Sequence, residues 1–260
     1  MVSNKPQAIQ AAIFDMDGVV TQTMHVHYTA WQQVLDNFLR AYAPSHDQLF
    51  LPFTLEDYFS YVDGVPRLEG IRRFLASRDI TVSEGEPDSF DGDTVHGLGN
   101  LKNQRFQAWL DVNSVPTYAD ALELIRVLKQ RGIKIGIFSA SRNSERVLTS
   151  AGVTGLFDVK VDGLDADRLA LPPKPHPAML IETLTRLGTK PARAIVIEDS
   201  VSGVRAGSAA AFRHVVGVDR EPTGDDDHGC ALRKAGADLV TRDLTEVLAL
   251  CDLVVSEART

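Results

Sequence analysis

Short apolar runs recur along this chain, each followed by a stretch with helical periodicity, and that alternation leaves few folds open. The runs are residues 11–14, 134–138, 157–161, 194–197, 214–218 and 237–240. Between them lie amphipathic segments such as 119–130, which ends at Arg131-Gly132, and 177–187 and 202–211. Alternation of this kind predicts an α/β fold: a Rossmann-like parallel sheet with helices covering both faces.

Residues 25–112 break the rhythm. They read as mostly helical, over 27–41, 55–61, 68–77 and 100–110, with the acidic, Gly- and Pro-bearing segment 83–93 as a loop. The pattern predicts a helical cap domain of residues 25–112 inserted after the first strand. The α/β core would then be 1–24 together with 113–260, with hinges near 21–24 and 113–117.

The 260 residues suffice for one large domain or for a core with a smaller accessory domain. At net charge -8 the chain lacks the clustered Lys and Arg that a nucleic-acid partner requires. A small anion, needing only a few cations or amides, remains compatible. No segment is long and apolar enough to span a bilayer, so a membrane is not an expected partner. Residues 1–10 lack the features of a secretory signal, which makes the cytoplasm the expected location. Two cysteines, Cys230 and Cys251, are too few for a disulfide framework and read as small hydrophobes.

In open α/β folds ligands sit beyond the carboxyl ends of the strands, so the polar residues that follow each apolar run are the candidates for chemistry. After the first run come Asp15, Asp17 and Gly18, and after the second Ser139, Ala140, Ser141, Arg142 and Asn143. Lys174 lies in the connection after the third run, and Glu198, Asp199 and Ser200 follow the fourth. Asp15, Asp17, Glu198 and Asp199 at one sheet edge would repel one another without a cation. An oxygen-only ligand set suits Mg²⁺. Ser139, the amides after it and Lys174 supply donors and positive charge for a transferring phosphoryl group. An aspartate nucleophile is then a concrete mechanism. Taken singly, Asp17 or Glu198 reads better as a helix cap or a solvated loop residue; their shared placement is what points to a site.

Asp15-Met16-Asp17-Gly18-Val19 resembles the first motif of the haloacid dehalogenase superfamily. Ser139, Lys174 and Glu198-Asp199 match its remaining motifs in order. The resemblance implies Asp15 as nucleophile and metal ligand, and Asp17 as general acid/base that gives the metal its backbone carbonyl. Glu198 and Asp199 would hold Mg²⁺, and Ser139, Ala140, Asn143 and Lys174 would bind phosphate. An acid two residues after the nucleophile argues for phosphate chemistry over dehalogenation.

Thr21-Gln22-Thr23, His27, Ala30-Trp31, the loop Asp63 to Arg67 and Leu101-Lys102-Asn103 are similar to the β-phosphoglucomutase branch of the superfamily. Gln22 and Arg142 depart from its usual Asp and Lys. This resemblance implies Thr23, His27, Arg67 and Lys102 as substrate-binding residues of the cap, with Arg67 gripping the phosphate not being transferred. It implies a monomeric enzyme converting β-D-glucose 1-phosphate to glucose 6-phosphate through glucose 1,6-bisphosphate. A sugar-phosphate phosphatase with the same core residues is the alternative reading, and a non-catalytic sugar-phosphate-binding protein a further one.

Other signals carry less. Gly97-Leu98-Gly99 lacks the third glycine of a dinucleotide fingerprint. His25 reads as exposed, His176 as a turn residue, Trp31 and Trp109 as packing residues, and the acidic run 225–227 as a solvated loop.

Overall fold

The computed structural model describes residues 8–220 and 227–256. The opening seven residues and two of the three acids in the 225–227 run lie outside them. Among the described residues no helix is long and apolar enough to cross a membrane.

Each apolar run of the core forms a strand: β1 Ala11–Asp15, β2 Lys134–Phe138, β3 Val159–Val161, β4 Ala194–Glu198, β5 His214–Val218 and β6 Leu239–Thr241. They make one sheet in the order β3-β2-β1-β4-β5-β6, with every pairing parallel. The two middle strands, β1 and β4, are buried along their whole length, which is why they read as unbroken apolar runs. Register then fixes the site. Asp15 pairs with Phe138 and Phe14 with Ile197, so the residues that follow β1, β2 and β4 emerge at one level of the same edge.

The chain divides into two compact units, residues 1–22 with 115–260 and residues 23–114. In the first, α5 (Ala119–Gln130), α6 (Ser144–Ser150), α7 (Gly163–Leu169), α8 (Ala178–Leu187), α9 (Val201–Ala209), α10 (Asp227–Ala235) and α11 (Val247–Ser256) accompany the sheet. Ile13, Val196, Phe138, Leu184 and Val204 share one apolar core there.

The second unit is helical: α1 (Met24–Ser45), the short α2 (Leu55–Asp57), α3 (Arg67–Ser77) and α4 (Val95–Val112). α2 begins at a capping box between Thr54 and Asp57 and runs directly into a π-helical turn, Tyr58–Val62, where the sequence suggested one regular helix. α4 starts five residues earlier than the periodicity indicated, because Thr94 caps it by accepting from the Gly97 amide at 3.1 Å. Gly97 and Gly99 therefore lie inside a helix and serve as clearances. A Cβ at Gly97 would meet the Asp91 carbonyl oxygen at 1.7 Å, and one at Gly99 would meet Leu68 Cδ2 at 2.8 Å. Segment 83–93 has no regular structure and is tied down by Asn100, whose amide donates to the carbonyls of Pro87 (2.9 Å) and Ser89 (2.8 Å).

Trp31, Leu35, Phe53, Ile71, Phe74 and Leu98 form the core of this unit. Phe74 is fully buried, with its ring edge-on to Phe53 at 5.0 Å. Phe74→Ala should destabilise the unit by about 3–5 kcal/mol through lost burial and the cavity left behind, read as a lowered denaturant midpoint.

Candidate active site

The turn after β1 is wound tightly on its own backbone. The amides of Val20 and Thr21 both donate to the Met16 carbonyl, at 3.0 and 2.9 Å, and the Thr21 hydroxyl does so at 3.0 Å. The Gly18 amide donates to the Thr21 carbonyl at 2.9 Å. Gly18 has a φ of 79°, a conformation that side chains resist, and a Cβ there would lie 1.7 Å from Asp199 Oδ2. The glycine of the Asp-Met-Asp-Gly motif thus admits both the turn and the carboxylate from the neighbouring strand end.

Asp15, buried at the end of β1, accepts from Lys174 Nζ through Oδ1 at 2.5 Å. The same ammonium donates to Glu198 Oε1 and lies 4.3 Å from the centre of the Phe138 ring. Glu198 is fixed from its other oxygen: Oε2 accepts from the Ser200 amide (2.6 Å) and hydroxyl (2.9 Å). Ser200 in turn caps α9, accepting from the Gly203 amide at 3.0 Å. A Cβ at Gly203 would collide with Glu198 Oε1 at 1.8 Å. One carboxylate oxygen each from Asp15, Glu198 and Asp199 lies within 4.8 Å of the others. The side chain of Asp17 stands outside that trio and accepts from Ser139 Oγ at 3.4 Å.

Ser139 is buried at the end of β2, and its hydroxyl accepts from the Ser141 amide at 3.0 Å. Ser141 Oγ likewise accepts from the Asn143 amide at 3.1 Å. Ala140 and Asn143 are half-buried, and Asn143 immediately precedes α6.

These groups set the electrostatics. Burial pushes the Asp15 carboxyl well above the usual carboxylate range; Lys174 pulls it back, while Glu198 and Asp17 push it further. Burial also opposes the charge on Lys174, but Asp15 and Glu198 outweigh it and hold the ammonium above its ordinary value. The Lys174 ammonium is thus shared between two buried carboxylates, Asp15 and Glu198, with Asp199 close beside them.

The candidates on the smaller unit fall into two groups. Lys102 is buried and donates to His27 Nδ1 at 2.6 Å, with its ammonium 4.9 Å from the Phe106 ring and 5.2 Å from Trp31. His27 stacks on Phe106 at 4.2 Å. Because an ammonium only donates, Nδ1 is the acceptor and the ring proton resides on Nε2. Thr23 is fully buried just before α1, and its carbonyl accepts from the His27 amide at 2.9 Å. Arg67 opens α3, and its Nη1 donates to the Gly99 carbonyl at 2.9 Å, about one turn of α4 before Lys102. His25 is exposed, His176 accepts from the Ala178 amide in an exposed turn, and Trp31 packs in the core of the unit.

Phe138 under Lys174, and the Ser200-Gly203 clamp on Glu198, were not assigned from sequence. The second has a local signature, a serine cap with glycine three residues on. Gly203→Ala would displace Glu198. We expect divalent-metal affinity to fall by about 10–100-fold, the usual cost of losing a ligand's support, as measured by calorimetric titration.

A haloacid dehalogenase-like hydrolase family model matches residues 9–211. A β-phosphoglucomutase from Mycobacterium bovis is 36% identical over 245 residues, spanning 94% of this chain and 93% of its own. A phosphorylated carbohydrates phosphatase from Thermotoga maritima is 28% identical over 233 residues, or 88% of this chain and 92% of its own. Among solved structures, β-phosphoglucomutase from Clostridium difficile aligns with a TM-score of 0.74 over 97% of this chain and 100% of that one. Its 24% identity makes this a likeness of fold. The chain belongs to the haloacid dehalogenase-like hydrolase family.

Proposed function

We propose that this protein is a Mg²⁺-dependent phosphomutase that converts β-D-glucose 1-phosphate to glucose 6-phosphate through an aspartyl-phosphate at Asp15. The observation that carries the reading is the buried Asp15 carboxylate, fixed by Lys174 within an oxygen-only trio and followed two residues later by Asp17. The similarity to the M. bovis β-phosphoglucomutase over nearly the whole chain supports the choice of substrate.

The residues present fit a magnesium ion. The trio offers hard oxygen donors only, and Gly18 and Gly203 clear the space in which Asp199 and Glu198 stand. Asp15, Glu198, Asp199 and the Asp17 carbonyl would hold the ion, which supplies charge neutralisation for the phosphoryl oxygens.

Lys174 fixes the rotation of the Asp15 carboxylate and offsets its charge as the nucleophile meets an anionic phosphoryl group. In one transfer an Asp15 oxygen bonds to the phosphorus at the 1-position of glucose 1,6-bisphosphate while the bond from that phosphorus to the sugar oxygen breaks, leaving glucose 6-phosphate. Asp17 delivers its proton to that leaving oxygen. In the other transfer Asp17 takes the proton of the 6-hydroxyl of β-D-glucose 1-phosphate, whose oxygen attacks the aspartyl-phosphate, releasing the Asp15 carboxylate and forming glucose 1,6-bisphosphate. Ser139, the loop through Ala140 and Asn143, and Lys174 hold the transferring phosphoryl. On the smaller unit, Arg67 offers a planar fork for the second phosphate of glucose 1,6-bisphosphate, and Thr23, His27 and Lys102 bind the sugar phosphate.

Transfer from the same aspartyl-phosphate to water would make the protein a phosphatase, a reading favoured by the T. maritima relative. A coupled assay separates the two. With β-glucose 1-phosphate, Mg²⁺ and a trace of glucose 1,6-bisphosphate, the mutase gives glucose 6-phosphate and little free phosphate. Phosphate release alone would establish the hydrolase. Chelation of the metal should stop turnover, and added Mg²⁺ should restore it; full activity in chelator would refute the metal assignment.

A further inference from the structure

We propose that Asp162 and Gly163, at the junction of β3 and α7, are positioning residues that seat the loop 139–143 for phosphate. The inference rests on the reading of that loop as the phosphate-binding element, and adds to it the part of the fold that gives the loop its shape.

The segment Val161 to Gly163 runs alongside the loop and is bonded to it twice through backbone. The Ser139 amide donates to the Val161 carbonyl at 3.1 Å, and the Gly163 amide donates to the Ser141 carbonyl at 3.1 Å. The approach is too close for a side chain. A Cβ at Gly163 would lie 2.7 Å from the Ala140 carbonyl oxygen, 3.0 Å from Arg142 Cγ and 3.1 Å from the Arg142 amide nitrogen. Glycine is therefore required here by the loop's main chain, in a manner unrelated to its backbone angles.

Asp162 secures the far end of the loop. It is buried, and its Oδ2 accepts from the Ser144 hydroxyl at 2.7 Å, the first residue of α6 after Asn143. The same oxygen accepts from Lys160 Nζ at 2.8 Å, and Lys160 also pairs with Glu145 on α6 at 2.8 Å. Oδ1 accepts from the amides of Leu164 and Asp165 at 3.0 and 3.1 Å, capping α7. Both oxygens are thus committed to protein donors. Burial opposes the charge, yet the Lys160 and Ser144 bonds hold the carboxyl below its usual range, so it stays ionised at neutral pH. A group with this environment holds other groups in place rather than binding ligand. Since phosphoryl transfer tolerates misplacement of its donors by only a fraction of an ångström, such a seat has a functional consequence.

The test compares Gly163→Ala, Asp162→Ala and Asp162→Asn with the parent protein. Three quantities are measured: the Kd for inorganic phosphate with Mg²⁺ present, the Kd for Mn²⁺, and the thermal midpoint. Gly163→Ala and Asp162→Ala should weaken phosphate binding by about 10-fold or more while Mn²⁺ affinity stays within about 2-fold, since the acidic trio is untouched. Asp162→Asn keeps an acceptor for Ser144 and a good helix cap, and should recover most of the loss. Should Asp162→Ala not fold, Ser144→Ala removes a single bond of the seat and should show the same pattern at smaller size. Lowered thermal midpoints with unchanged phosphate affinity would overturn the proposal, leaving these residues to stability alone. Absence of phosphate binding by the parent protein would instead refute the assignment of the loop itself, and the proposal with it.

Discussion

Asp15→Asn is expected to reduce turnover to background, a loss of at least about 10⁴-fold on the scale seen when a nucleophile is removed. No acid-stable phosphate should remain on the protein after quenching from a phosphoryl donor. Appreciable turnover by this variant would refute the nucleophile assignment. The substitution has a second expected outcome, opposite in direction. Burial raises the Asp15 carboxyl well above its reference value of 3.8, so the folded protein binds a proton that the unfolded chain gives up more readily. In metal-free protein the stability this confers is present below about pH 3.9 and is lost as pH rises through the raised folded value. Asparagine does not titrate. The metal-free variant should therefore show a flatter fall of thermal midpoint with rising pH, and a higher midpoint than the parent near neutrality. A protein inactive yet more stable would separate the chemical role of the carboxylate from any structural one.

Asp17→Asn should lower kcat by about 10²–10⁴-fold, the usual range for a general acid/base. The amide keeps the shape of the side chain and can still accept from Ser139 Oγ, and the turn itself is built from backbone bonds between Met16, Gly18 and Thr21. Metal affinity should accordingly be unchanged. The informative comparison is between leaving groups. Formation of phosphoenzyme from acetyl phosphate, whose departing carboxylate needs no proton, should suffer far less than transfer from a sugar phosphate. Equal losses with both donors would place Asp17 in positioning rather than proton transfer.

Much of this site was legible in the sequence because a buried parallel strand leaves a plain trace, an unbroken apolar run, and the fold places chemistry where such runs end. Asp15, Ser139 and Glu198 are each the last residue of a run or its immediate successor, and strand register brings them together at the β1-β2-β4 edge. What stayed hidden depends on contacts between segments distant in the chain. That Gly18 clears space for Asp199, that Phe138 lies under Lys174, and that Gly163 is pressed by the Ala140 carbonyl have no local signature. The helical unit was legible as a block but less so in its ends. Glycines at 97 and 99 mimic a loop, and the true start of α4 is set by one hydroxyl, that of Thr94. The π-helical turn at Tyr58–Val62 likewise follows a capping box that periodicity does not register.

The backbone bonds that flank the insertion have a consequence for how such a chain can change over time. The Gln22 amide donates to the Pro116 carbonyl at 2.8 Å, the Tyr118 amide to the Val20 carbonyl at 3.0 Å, and the Gln22 side chain to the Thr117 carbonyl at 2.8 Å. The chain thus departs and returns side by side, at a junction stitched entirely from residues of the α/β unit. Ninety-odd residues enter and leave at neighbouring points of the chain, and none of the five sheet pairings involves them. An insertion with neighbouring ends can lengthen, shorten or be exchanged whole without disturbing the acids at the strand edge. The helical unit and the acids at the strand edge are, in this architecture, free to be inherited separately.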